Sequence, residues 1–549
     1  MGINWKNLKT VASFLGAIAI TQFCGINTSV RAADTVVLRF GPFAESISLA
    51  ELQKTADTGE LPRGLEIYTG RISESQRNFL VGALRARVPL DVVTVSSLLN
   101  TQIGTTILSN LSEALVRKDQ AGVQALRAAF VLGATKPQGL SILNFIAAYP
   151  SQRLEINLFK AFQVAGRLNT SFWRTQQFML TIAPQLDSRI PQISLPFDPS
   201  QTGTAQVEVL KLNWHDQKRD RNIPVDIYSS NAITPEKPVI IFSHGFGSVK
   251  HELRYLANHL ASHGYLVAAL EHPGSNATNT NLALAGRTRP LQPQEFLERP
   301  RDISFVLDEL EKLNQTANHP LQGKLATNNG MVLGYSFGGG TALAIAGGEL
   351  QLERLKQRCQ SNLTILSFGE TIQCVAQELP ENNYTLRDDR IKQAIALSPT
   401  TSLMFGETGL TQVQVPTLVL ASSADKSTPA LTEQIVGFHQ IPAPKWLVGV
   451  IGGTHLSVKD PSTTLDQVGQ PNTPFSGGEI VDEQAVDVRQ FVKAITLAMA
   501  AQLTPEADQY AVFLTSDYAQ LVSTPTFPFR LVTEIPPSAI SMVKELQSN

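Results

Sequence analysis

The segment Gly334-Tyr335-Ser336-Phe337-Gly338 has the form G-x-S-x-G. A serine alcohol is a poor nucleophile until a base takes its proton, so the pattern needs a histidine and an orienting acid. Its context is right: Met331-Val332-Leu333 reads as a strand and 338–346 as a small-residue helix. That strand–turn–helix setting presents a serine on a sharp, strained turn. Two histidines follow Ser336 in the chain, His439 and His455. His439 falls in a helical pattern. His455 closes Gly452-Gly453-Thr454-His455, a turn directly after the strand-like stretch 446–451, and is the expected base. Asp425 lies just past the strand-like Val419-Leu420-Ala421 and is the expected acid, although an aspartate there also suits a turn or helix cap. The order Ser336, Asp425, His455 is that of an α/β-hydrolase triad. An oxyanion hole requires two aimed N–H donors. The expected pair is the backbone N–H of Phe337, next to the nucleophile, and that of Phe246 in Ser243-His244-Gly245-Phe246-Gly247. His244, and His272 in Glu271-His272-Pro273-Gly274, are read as structural.

These groups need a frame. From residue 205 onward short apolar runs alternate with helical patterns, which predicts a mostly parallel sheet with helices on both faces. Strands are expected at 207–212, 224–228, 238–242, 265–270, 331–333, 394–397, 416–421 and 446–451. Helices are expected at 250–263, 302–313, 337–347, 428–438 and 482–502. Residues 33–185 read as an all-helical domain. Ser48-Leu49-Ala50-Glu51 is a capping box there, and Ser73-Glu74-Ser75-Gln76 is a second. The Pro-, Ser- and Gln-rich stretch 186–204 reads as a linker, 205–505 as the α/β-hydrolase domain, and 506–549 as a tail with no assigned role.

Residues 1–32 read as a signal peptide: Lys6 and Lys9 precede an apolar stretch at 11–23, too short to span a bilayer comfortably, and Val30-Arg31-Ala32 resembles a cleavage site. With 45 Lys+Arg and 47 Asp+Glu the chain carries a net charge of −2. That balance, without a long basic tract, argues against a nucleic-acid partner. Beyond Cys24 the chain has Cys359 and Cys374, a pair that in an exported protein points to a local disulfide. No cysteine cluster and no H-E-x-x-H is present, so no metal or other cofactor is expected. The expected location is secreted or periplasmic, with a membrane surface as a compatible neighbour. Oligomeric state is not readable.

Phe242-Ser243-His244-Gly245-Phe246-Gly247, the run from Leu260 to His272, and Tyr335-Ser336-Phe337-Gly338-Gly339 resemble the secreted platelet-activating-factor acetylhydrolase family. Dienelactone-hydrolase-like and polyesterase-like enzymes are also similar. The resemblance covers roughly residues 205–500. It implies metal-independent hydrolysis of esters, in that family of short or oxidised acyl chains on phospholipids. One departure stands out. That family keeps its acid soon after the strand following the nucleophile helix, whereas Ala394-Ile395-Ala396-Leu397-Ser398-Pro399-Thr400 has none. The acid then falls one strand later, at Asp425, as in polyesterases and many lipases. The N-terminal part resembles an uncharacterised domain that precedes such hydrolases in cyanobacteria. A lipase or polyesterase is the near alternative. A non-catalytic envelope-binding protein on a hydrolase scaffold is the alternative from another class.

Overall fold

The computed structural model describes residues 32–40, 43–62, 111–117, 121–136, 139–158, 193–360, 367–468 and 478–537, with scattered positions between 81 and 179 and near the C-terminus. The expected leader, apart from Ala32, and the second capping box lie outside the described residues. The chain divides into two units, Met1–Leu168 and Asn169–Asn549.

The first unit is not all-helical. β1 (Thr35–Phe40) and β2 (Phe43–Ser48) pair antiparallel, and β3 (Arg153–Asn157) joins β1 in parallel. The β-branched run Thr35-Val36-Val37 suits a strand. Its parallel partner lies more than a hundred residues away, so no local pattern announced the sheet. Val36 and Leu154 pack into one cluster with Ala125, Leu126 and Ala129 of the helix α2 (Gly122–Ala134). The capping box at Ser48 is present and starts α1 (Leu49–Thr58): the Ser48 Oγ accepts from Glu51 N–H, and the Glu51 carboxylate accepts from Ser48 N–H at 2.9 Å.

In the second unit the described strands form a nine-stranded sheet. The strands are β4 (Val207–Asp216), β5 (Arg221–Ser230), β6 (Pro238–Ser243), β7 (Leu266–Leu270), β8 (Ala326–Tyr335), β11 (Ile391–Leu397), β12 (Thr417–Ser422), β13 (Lys445–Val450) and β14 (Phe529–Val532). β9 (Leu350–Gln351) and β10 (Asn383–Tyr384) make a separate short ribbon. The order is β4-β5-β7-β6-β8-β11-β12-β13-β14. From β7 to β13 the neighbours run parallel, and β4, β5 and β14 add antiparallel edges. This is the α/β-hydrolase arrangement.

The apolar runs are continuous because both faces are covered. Val239 and Ile241 of β6 turn to one face, with Ile303, Val306, Leu307 and Leu310 of α4 (Glu295–Gln315) and with Leu343 and Ile345 of α5 (Phe337–Ile345). Ile240 and Phe242 turn to the other face. There they meet Leu256 and Leu260 of α3 (Arg254–Ser262) and Phe491, Val492 and Ile495 of α8 (Val486–Ala501).

Three elements differ from their sequence pattern. α4 starts at Glu295, seven residues before the expected 302, and Pro300 lies inside it. A proline at that depth removes one backbone hydrogen bond and reads as a helix start. Buried ion pairs from Glu295 and Asp302 hold the early turns instead. The expected helix at 428–438 is a wide π turn, Leu431–Ile435, followed by the α-helical Val436–Gln440. The tail is structural: β14 pairs with β13, and Phe527, Phe529 and Leu531 are buried against α8, with the Phe491 and Phe529 rings stacked at 4.2 Å.

Cys359, in α6 (Leu352–Gln360), and Cys374, next to α7 (Phe368–Gln373), form the expected disulfide, closing a separation of 15 residues. Closing a loop of that length restricts the unfolded chain by about 3 kcal/mol. The Cys359→Ser/Cys374→Ser variant is therefore expected to lose about that much stability by urea titration. The wild type plus reductant should reproduce it. An unchanged midpoint in both cases would show that the bond adds no constraint.

Candidate active site

Ser336 caps α5 at the end of β8 with φ 56° and ψ −120°. A positive φ is costly for a side chain, and such strain persists only where the surroundings enforce it. Here the crowding is visible in the flanking glycines. A Cβ on Gly334 would lie 1.8 Å from the Gly338 carbonyl oxygen, and one on Gly338 would lie 2.0 Å from the Ser243 oxygen. Neither position tolerates any side chain.

Asp425 follows β12, and His455 opens a tight turn after β13. The His455 Nε2 is 3.0 Å from Ser336 Oγ, and its Nδ1 is 2.6 Å from Asp425 Oδ2. All three residues are buried. His439 sits in the helical segment Val436–Gln440. Asp425 also fulfils its alternative role as a turn cap. Its Oδ1 accepts from Thr428 N–H at 2.7 Å, and its Oδ2 accepts from Thr428 Oγ1 at 2.7 Å. Burial opposes the imidazolium of His455. The Asp425 charge and hydrogen bond, with the charge of Glu479, outweigh it, so its pKa lies above the ordinary histidine value.

Three contributors escaped the sequence reading. Thr428 had a signal, the Asp-x-x-Thr spacing of a capped turn. Glu479 had none: it lies 24 residues past His455, and its carboxylate accepts from Leu456 N–H at 2.9 Å. Burial raises its pKa. The Tyr335 hydroxyl donates to the His455 carbonyl at 3.0 Å, and the two rings lie 5.0 Å apart.

Phe337 N–H is the first amide of α5, so it has no acceptor within the helix. The loop holding Phe246 passes close to the serine: a Cβ on Gly245 would lie 3.4 Å from Ser336 Cβ. A cavity of about 560 Å³ is lined by Ser336, His455, Phe246, Val249, Leu456, Phe368 and the polar Lys459 and Glu479, among others. His244 and His272 are both buried away from it. Among the described residues no group of three or more His, Cys, Asp or Glu is arranged to hold a metal ion. Among them, too, no helix is long and apolar enough to cross a membrane.

Two family models match parts of the chain. Residues 32–157 match one described as an alpha/beta hydrolase of unknown function (DUF1400). Residues 205–297 match that of platelet-activating factor acetylhydrolase, isoform II, a span that holds Phe246, His244 and His272. A platelet-activating factor acetylhydrolase from Cavia porcellus is 31% identical over 146 residues, covering 21% of this chain and 33% of the relative. One from Bos taurus is 26% identical over 149 residues, with the same shares. The matched stretch thus spans about a third of the length of these relatives. Over that stretch the chain is similar to platelet-activating factor acetylhydrolases, and its second unit has the α/β-hydrolase arrangement.

Proposed function

We propose that the chain is an exported serine hydrolase that cleaves carboxylic esters, of short-acyl or phospholipid-like type, through Ser336, His455 and Asp425. The hydrogen-bond chain from Asp425 through His455 to Ser336 at the cavity wall carries this reading. His455 Nε2 takes the Ser336 proton as Oγ attacks the ester carbonyl. The amides of Phe246 and Phe337 hold the resulting oxyanion. The C–O bond to the alcohol then breaks, and His455 returns the proton to the leaving oxygen. Water repeats the sequence on the acyl-serine and releases the acid. The likeness to relatives named acetylhydrolases supports a short acyl group, and about 560 Å³ leaves room for more than an acetyl. The disulfide and the leader-like N-terminus support export.

The test is a p-nitrophenyl ester series from acetate to palmitate, run beside labelling by a fluorophosphonate with the modified peptide identified. Cleavage with the label on Ser336 supports the reading, and the chain-length profile then measures the pocket. An inert, unlabelled wild type overturns it and favours a binding protein.

The His455 environment adds a pH prediction. The base works only when neutral, so activity falls as pH drops through its raised pKa. The acid limb of kcat/KM should therefore lie above the ordinary value of about 6.5. Glu479→Gln removes a charge that favours the imidazolium, so that limb should move to lower pH. A limb that stays put in the variant would show that Glu479 is not felt at His455.

A further inference from the structure

Behind the loop that carries Phe246 lies a second serine–histidine–aspartate chain. His272 Nε2 is 3.0 Å from Ser243 Oγ, and its Nδ1 is 2.9 Å from Asp302 Oδ2. Ser243 is 1% exposed, and His272 and Asp302 are 0% exposed. No substrate reaches such a group, so it is a mount and not a reaction centre. What it mounts is His244.

We infer that His244 is a positioning residue for the oxyanion hole: its ring fixes the Gly245–Phe246 peptide plane, and with it the direction of the Phe246 N–H. The inference rests on the acyl-transfer reading of Ser336 given above. His272 N–H donates to His244 Nε2 at 2.9 Å. A nitrogen that accepts cannot also carry the proton, so the neutral ring is protonated on Nδ1. That Nδ1–H donates to the Gly245 carbonyl oxygen at 2.6 Å. The same peptide unit carries the Phe246 N–H. A trans peptide is planar, and its C=O and N–H point opposite ways. Holding the oxygen therefore aims the amide.

The neighbouring groups are pinned as well. Gly245 N–H donates to Glu252 Oε1 at 2.6 Å, and Gly247 N–H donates to the Ser275 oxygen at 2.8 Å. The fully buried Arg299 guanidinium donates to the His244 carbonyl oxygen and lies 4.5 Å from the centre of the Phe337 ring. Arg299 thus touches both segments that supply oxyanion donors. Burial, then the Arg299 charge, holds the His244 pKa well below its ordinary value, so the ring stays neutral with the proton where Gly245 needs it. By contrast, Phe246 N–H has no protein acceptor among the described residues.

The experiment compares the wild type with His244→Ala, His244→Asn and His244→Gln. It reads kcat and KM for p-nitrophenyl acetate, and the inhibition constant of a trifluoromethyl ketone, whose serine adduct bears an oxyanion. Losing an aligned oxyanion donor costs about 100-fold, so His244→Ala should lose about that in kcat, with KM changed less than about threefold. Ketone affinity should fall in parallel. His244→Asn keeps a donor near the Nδ1 position and should recover most of the rate, whereas His244→Gln, with its amide nearer the Nε2 position, should not. If His244→Ala does not fold, the Asn and Gln pair carries the comparison. The positioning role is overturned if the wild type is active and His244→Ala stays within about threefold in kcat. It is equally overturned if the Asn and Gln variants are alike. A wild type inert to ester and fluorophosphonate overturns the acyl-transfer reading itself, which is a separate and visible failure.

Discussion

Ser336→Ala is expected to lower kcat for a p-nitrophenyl ester by about 10⁶-fold, and Asp425→Asn by about 10⁴-fold. The first removes the nucleophile. The second is nearly isosteric, and the surroundings decide its cost. Thr428 N–H donates to Asp425 Oδ1, so an asparagine would place its carbonyl oxygen there. Its NH₂ would then occupy the Oδ2 position, facing His455 Nδ1 and Thr428 Oγ1. An NH₂ can only donate to Nδ1. The imidazole proton would move to Nε2, which could no longer accept from Ser336. The fold should survive, since asparagine is nearly isosteric and keeps an acceptor for Thr428 N–H. Steady-state kinetics with a melting curve on each variant checks both statements. If Asp425→Asn keeps more than about a tenth of kcat, the acid is not Asp425, and Glu479 becomes the group to replace next.

The asymmetry between what the sequence disclosed and what it hid has a physical basis. Ser336, Asp425 and His455 are each legible because each ends a buried strand. An apolar run broken by a turn is a local pattern, and Gly334 is dictated by crowding inside the turn itself, where a Cβ would lie 1.8 Å from the Gly338 oxygen, whereas Gly338 is dictated from β6, its Cβ falling 2.0 Å from the Ser243 oxygen. Phe246 follows from the same rule at the end of β6. Glu479 and Glu252 carry no such mark. Each reaches the site from a segment whose composition is ordinary, and only the packed chain brings their carboxylates to Leu456 N–H and Gly245 N–H. His244 was legible as structural, but its task depends on which ring nitrogen carries the proton. A backbone donor from His272 decides that.

The fold divides the same way. The parallel strands of the second unit were readable because burial on both faces makes them apolar throughout. The sheet of the first unit was not. β1 and β3 pair in parallel across an intervening stretch with strong helical periodicity, and strands of five or six residues are too short to outweigh it. The expected helix begins at 302, whereas α4 begins at Glu295 and runs through Pro300, a residue that ordinarily marks a helix start. What overrode it is non-local: Glu295 and Asp302, two helical turns apart on one face, meet Arg219 and Arg221 near the β4–β5 turn, and Asp302 also meets His272 after β7.

That meeting point yields the largest stability prediction. Asp302→Ala is expected to destabilise the protein by about 3–5 kcal/mol, the range for removing one partner of a buried ion pair. Asp302 is 0% exposed. Its Oδ1 accepts from Arg219 Nη1 at 2.6 Å and Arg221 Nε at 2.9 Å, and its Oδ2 accepts from Arg221 Nη2 and His272 Nδ1, each at 2.9 Å. Alanine would take an acceptor from three side chains, of which His272 is fully buried. The remaining partners soften the loss but do not cancel it: Arg221 keeps both oxygens of Glu295, and Arg219 keeps Asp216 and Glu298. His272 keeps none for its Nδ1. An internal control is available in Arg289–Glu378, whose side chains are 60% and 52% exposed at 2.7 Å. Solvent screens that pair, so Glu378→Ala should cost about 0–1 kcal/mol despite a comparable distance. Urea titration of both variants measures the contrast. Equal losses would mean that burial does not set the worth of the Asp302 cluster, and its role in supporting the His244 loop would have to be argued from hydrogen-bond direction alone.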